Sequence, residues 1–169
     1  MEGTGKTVII FKLLFLFGWI FLIFLFSSQS YEEQSIIPFL SKHFSERAAT
    51  EVLPDMDFYY FHHEYSNAKK PFDLIEFLFR KGAHLFIYAV LAFLAATALR
   101  AGDKPRYWLL VPLLVAVSVA KVDEWNQSFT VGRTSNPKDI LIDAIGGVMG
   151  LGCYIILRKL RLGNRNEKR

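Results

Sequence analysis

One cysteine, Cys153, occurs in the 169 residues, and it lies in an apolar run. An intrachain disulfide is excluded, and the residue reads as a small core filler. Charge is sparse as well: Asp, Glu, Lys and Arg make up 21% of the chain against 52% hydrophobic and 15% aromatic residues. A soluble domain of this length carries more charge and interrupts its apolar runs more often. Metal-ligand spacing is missing too. His62-His63-Glu64, near Asp55 and Asp57, is the densest group of potential ligands. Adjacent residues diverge on a helix, however, and zinc ligands come at defined spacings, so no metal or other cofactor is expected. Gly3-Thr4-Gly5-Lys6-Thr7 imitates the end of a phosphate-binding loop without the earlier glycine and strand that the motif requires. Lys6 is better read as a cytoplasmic anchor.

What the sequence does have is long hydrophobic runs. Four stand out, at about residues 7–26, 83–99, 107–120 and 140–157. A spanning helix takes roughly 20 mainly apolar residues. The first and fourth runs reach that length. The second can extend backwards through the amphipathic stretch 72–79. The third is short unless Arg106 and Lys121 reach towards the headgroups, and Pro112 is expected to kink it. The expected fold is an all-α integral membrane bundle of four transmembrane helices in a single domain, with a loop at 27–80 and a basic tail at 158–169. A competing reading makes the N-terminus a signal peptide, with Lys6 and Lys12 before an apolar core at 13–26 and Ser28-x-Ser30 as the cleavage pattern.

Orientation follows from Lys and Arg in the short flanks. Lys6 and Lys12, the connection with Arg100, Lys104 and Arg106, and the tail with Arg158, Lys159, Arg161, Arg165, Lys168 and Arg169 share one side if there are four spans. Both termini are therefore expected in the cytoplasm and loop 27–80 outside. The basic tail reads as a topology signal drawn to anionic lipid. No nucleic-acid partner is expected, since no binding fold surrounds it. The aromatic run Phe58-Tyr59-Tyr60-Phe61 is expected to lie along the membrane surface.

Between the third and fourth runs lies Lys121-Val122-Asp123-Glu124-Trp125-Asn126-Gln127, continuing through Gly132-Arg133-Thr134 to Asp139 and Asp143. Ionisable groups beside membrane-length segments are expensive and point to function. Helical spacing puts Lys81, His84 and Tyr88 on one face of the second run, close after Arg80. Asp123 and Gln127 lie one turn apart, as do Asp139 and Asp143, with Gly146 and Gly150 continuing that stripe as a close-approach pattern. Asn136-Pro137 marks a helix start. Ser27-Ser28-Gln29-Ser30 closes the first run. Four helix ends thus deliver acids, bases and amides to the outer membrane boundary.

These residues resemble the VanZ-like family of small bacterial membrane proteins. The resemblance rests on Ser28-Gln29, Arg80-Lys81-x-x-His84-x-x-x-Tyr88, Asp123-Glu124-x-x-Gln127, Gly132-Arg133, Asp139, Gly146 and Gly150. Asp143 departs from it, standing where the family pattern looks like asparagine. A second carboxylate below Asp139 is expected to raise one pKa or recruit a cation such as Arg133. The resemblance implies a multi-pass protein of the bacterial plasma membrane that acts on the cell envelope; the founding member is associated with low-level teicoplanin resistance.

Several readings of the charged cluster stay open. Glu124, Asp123 and Arg133 can form an interhelical ion-pair network. They can recognise a lipid-linked or lipidated envelope molecule, such as a polyprenyl-linked intermediate or a lipoglycopeptide. Arg133, Arg80 and Lys81 would then hold an anion, with Gln127, Tyr88, Gln29 and Asp139 completing the site among membrane lipid. They can also catalyse, His84 acting as base and Glu124 orienting it, although no nucleophile motif accompanies them. A transporter of four helices would need to oligomerise to enclose a path.

Overall fold

A computed structural model describes residues 2–60, 63–133 and 136–166. Phe61, His62, Thr134, Lys168 and Arg169, all cited above, lie outside the described residues. Four long helices carry the fold: α1 (Glu2–Ser27), α5 (Pro71–Ala98), α6 (Leu110–Gln127) and α7 (Pro137–Asn166). Between α1 and α5 come three short helices, α2 (Tyr31–Gln34), α3 (Ile37–His43) and α4 (Glu46–Val52), followed by strands β1 (Asp57–Tyr60) and β2 (His63–Ser66).

Among the described residues three stretches are long and apolar enough to cross a membrane: Gly5–Ser27, Pro71–Ala98 and Pro137–Gly163. Helix α6 has 18 residues, and Lys121, Asp123 and Glu124 occupy its last two turns. It is displaced towards the C-terminus of the run expected at 107–120, because Arg106–Leu109 forms a 3-10 turn. Pro112 consequently falls in the first turn of α6 and not mid-helix. There its missing N–H has no helical acceptor to lose, so the expected kink is not needed.

Sequence explains the packing order. Helix α1 is apolar on all sides, and Phe11, Phe15, Phe17 and Phe21 point away from the protein. It is tied to α5 by Leu16 and Ile23 in the core, by the Trp19 indole donating to the Ile87 carbonyl at 3.0 Å, and by Lys12 Nζ donating to the Thr97 carbonyl at 3.2 Å. The tightest pair is α5 with α7. Ala92, Ala95 and Ala96 are fully buried on α5, and Gly146 and Gly150 bring the α7 backbone against the carbonyls of Leu85 and Ala89. Small residues on both sides allow that approach.

The chain departs from all-α between 57 and 66. β1 and β2 pair antiparallel, Phe58 opposite Tyr65 and Tyr60 opposite His63. Aromatic side chains fit a pleated surface. Alternation puts Phe58, Tyr60 and Tyr65 on one face, where their rings meet Phe77 of α5 at 5.6, 5.1 and 4.3 Å. This segment is thus paired as two short strands and clasped to α5.

Candidate functional site

The polar residues gather at one end of the bundle, beneath the short helices and the hairpin. A buried carboxylate, Glu76 on α5, holds this cap down. Its Oε2 accepts from Ser35 Oγ at 2.7 Å and from the Ile36 N–H at 2.9 Å, and its Oε1 lies 3.8 Å from Arg80 Nη1. Glu76 did not stand out from the sequence; the only signal was its i, i+4 spacing to Arg80. Removing it leaves two donors and a half-buried guanidinium without their acceptor, which costs about 1–3 kcal/mol or more. Glu76→Ala is expected to make the 31–45 segment hypersensitive to limited proteolysis, with the long helices still protected.

Lys81, His84 and Tyr88 of α5 each meet a carboxylate on α6 or α7. Lys81 Nζ donates to Asp139 Oδ1 at 2.5 Å, and Tyr60 Oη donates to the same oxygen at 2.6 Å. The lysine also lies 4.7 Å from the Tyr60 ring centroid, a favourable cation–π distance. One turn further in, His84 Nδ1 meets Asp143 Oδ1 at 2.9 Å, with Asp143 only 1% exposed. Another turn in, Tyr88 Oη donates to Asp123 Oδ2 at 3.1 Å, and Gln127 Nε2 donates to that atom at 3.0 Å. The partner of Asp143 is thus His84 and not Arg133, and the carboxylate against His84 is Asp143 and not Glu124. Glu124 Oε2 instead accepts the Asn136 N–H at 2.8 Å, joining the end of α6 to the start of α7. Asn136 caps that helix: its Oδ1 accepts from the Lys138 N–H at 3.1 Å.

Arg133 arrives on the α6–α7 connection. Gly132 precedes it with φ +74°, a left-handed turn that glycine adopts without strain, and a Cβ there would crowd Tyr31. Arg133 Nη2 donates to Gln34 Oε1, while Gln34 Nε2 donates to Gln29 Oε1 at 3.1 Å. Gln34, a residue the sequence did not single out, thus links Gln29 to Arg133. Among the described residues Arg133 makes no ion pair, and its Nε is buried without a protein acceptor. Burial and the nearby Arg80 lower its pKa from the ordinary arginine value, against the pull of Asp123 and Glu124. Arg80 itself stacks 4.8 Å from the Tyr31 ring centroid. Tyr31 is pushed up to about 12 by burial and then by the Glu76 carboxylate, and Tyr60 is raised by burial and by its bond to Asp139, so both stay protonated donors. Lys121 is exposed and stands apart from the cluster.

Two cavities meet at this cluster. One, of about 220 Å³, lies under the hairpin and is lined by Tyr31, Tyr60, Glu76, Lys81 and Asp139 among others. The second, of about 370 Å³, lies between α1 and α5, with Phe26, Phe79, Ile87 and Tyr88 in its wall. Phe26 and Phe79 are 52% and 62% exposed on candidate spanning helices, so the outer edge of this crevice is apolar. Arg80, His84, Gln127 and Arg133 line both cavities and form the wall between them. Among the described residues no three His, Cys, Asp or Glu side chains gather as metal ligands.

A multi-pass helical membrane protein with a capped polar cavity is the class these features define. The chain matches the VanZ/LLP1 family over residues 11–158 and belongs to that family. No curated protein and no solved structure is significantly similar to it.

Proposed function

We propose that this chain recognises an anionic amphiphile, a lipid-linked or lipidated molecule of the cell envelope, at the outer leaflet. The observation that carries the reading is the shared wall. A polar cavity suits a charged headgroup, a lipid-facing crevice suits an apolar chain, and two arginines stand where they join. Arginine binds phosphate and carboxylate in a bidentate manner and keeps its charge when buried. Modulation of the envelope follows if such a molecule, a polyprenyl-linked intermediate or a lipoglycopeptide, is held there. The test is to purify wild type and Arg133→Ala from membranes and identify the lipids and envelope precursors that accompany each. An anionic amphiphile retained by wild type and depleted from the variant supports the reading; identical profiles from two folded proteins overturn it.

In the same reading α6 is a fourth span and both termini lie inside. Its 18 residues rise about 27 Å, close to the apolar thickness of a bilayer. The flanking cations Lys6, Lys12, Arg100, Lys104, Arg106, Arg158 and Arg161 then fall on the inner side. A reporter fused after Asn136 is expected to be active only outside the cell; activity inside would place the site on the other leaflet.

A second reading, hydrolysis or group transfer on that amphiphile, is favoured by one contact. Asp143 holds His84 Nδ1, leaving Nε2 as the nitrogen available to a ligand in either cavity. A carboxylate that fixes the imidazole tautomer is how a general base is oriented. Turnover by wild type that is lost in His84→Ala would support it, and intact binding without turnover would return the site to recognition.

A further inference from the structure

A separate cluster lies at the opposite end of the long helices. Here the start of α1, the end of α5 and the last turns of α7 surround a cavity of about 200 Å³. Four cations line it: Lys12 from α1, Arg100 just past α5, and Arg158 and Arg161 from α7. Among the described residues one carboxylate, Asp103, faces them and accepts from Arg158 Nη2 at 2.9 Å. Arg100 and Arg161 make no ion pair among the described residues. Lys12 Nζ uses one of its three protons on the Thr97 carbonyl. Phe93, Tyr154 and Leu157 supply apolar lining.

Cations at helix C-termini have an ordinary explanation in the helix dipole and in membrane topology. That explanation covers a scatter of lysines and arginines along a tail. It does not account for their convergence, together with Lys12 of α1, on one concavity. Arg100 has a left-handed backbone, φ 50°, a conformation that non-glycine residues rarely adopt, and it lines the basin from there.

We propose that this basin binds the headgroup of an anionic phospholipid carrying more than one phosphate. Among the described residues, four cations against one carboxylate leave an excess that a single phosphate does not neutralise. The volume is below the about 300–1,000 Å³ of pockets that enclose a whole ligand, which suits a headgroup whose chains lie outside. Exposed Phe11 and Leu14 on α1, with Ile156 and Leu160 on α7, provide apolar surface for those chains. Basic pockets between spanning helices are a recurrent setting for such headgroups. This site is independent of the polar cavity at the other end.

The phosphate chemistry is shared by free anions, so the experiment has separate arms. The full chain in neutral detergent is titrated with cardiolipin, phosphatidylglycerol, phosphatidylcholine or inorganic phosphate, with retention read by native mass spectrometry and stabilisation by thermal unfolding. Cardiolipin is expected to be retained at least about tenfold better than phosphatidylcholine, a difference of about 1.4 kcal/mol. Inorganic phosphate at equal phosphorus is expected to give no matching stabilisation. The Arg100→Gln/Arg161→Gln variant is expected to lose that preference, and the Arg106→Gln/Lys159→Gln variant, with the same charge change outside the basin, to keep it. Equal losses in the two variants would mean diffuse attraction and overturn the site. So would phosphate matching cardiolipin on wild type, a result that needs no variant to fold.

Discussion

Gly150→Ala is expected to destabilise the bundle by about 1–3 kcal/mol, the usual cost of forcing extra volume into a packed interface. A Cβ at Gly150 would lie 1.9 Å from the Ala89 carbonyl oxygen, and one at Gly146 would lie 2.4 Å from that of Leu85. The obstacle in each case is backbone, which no rotamer change can clear. Helices α5 and α7 must separate, and with them the pairs Lys81–Asp139 and His84–Asp143 that bridge them. The control is on the same helix: a Cβ at Gly152 meets nothing within 4 Å. There helix propensity dominates, and Gly152→Ala is expected to be neutral or stabilising by up to about 1 kcal/mol. Thermal unfolding of the purified variants, with membrane abundance alongside, reads both signs. Equal behaviour of the two would mean that α5 and α7 do not meet through these glycines.

Arg133→Gln is expected to weaken binding of an anionic amphiphile by about 2–5 kcal/mol, the range for removing one partner of a desolvated charge pair. Dodecyl phosphate, with dodecyl maltoside as the uncharged comparison, is a sufficient probe for calorimetry. Arg133 sits on the wall common to both cavities, and its guanidinium has no carboxylate partner among the described residues, so its charge is available to a ligand. Lys121→Gln removes the same formal charge from an exposed position of α6 and is expected to leave affinity within twofold. A similar loss in both would reduce the effect to general electrostatic attraction. A folded Arg133→Gln protein that binds as tightly as wild type would remove the recognition reading altogether.

Much of this site could be read from spacing. Lys81, His84 and Tyr88 share a helix face at any rotation of α5, and Asp139, Asp143, Gly146 and Gly150 share one on α7, because both follow from the helical repeat alone. Which carboxylate meets which cation depends on the roll and depth of two helices, and the sequence carries neither. Spacing alone therefore leaves Asp143 open to a cation such as Arg133 and His84 open to Glu124, whereas the fold sets His84 against Asp143. The hairpin was missed for a different reason. Its strands are four residues each, too short for alternation to separate from an interfacial aromatic run. Glu76 and Tyr31 escaped notice because their roles depend on how the cap folds back onto α5, a contact between segments about 40 residues apart, and Gln34 because its partner Arg133 lies on the distant α6–α7 connection.

In the proposed reading, the crevice between α1 and α5, with exposed Phe26 and Phe79 in its wall, opens into the hydrocarbon. A guest using that door is already dissolved in the lamella, and the relevant measure of its abundance is mole fraction among neighbouring lipids. Diluting a fixed amount of it with inert lipid should empty the crevice even when nothing in the aqueous phase changes.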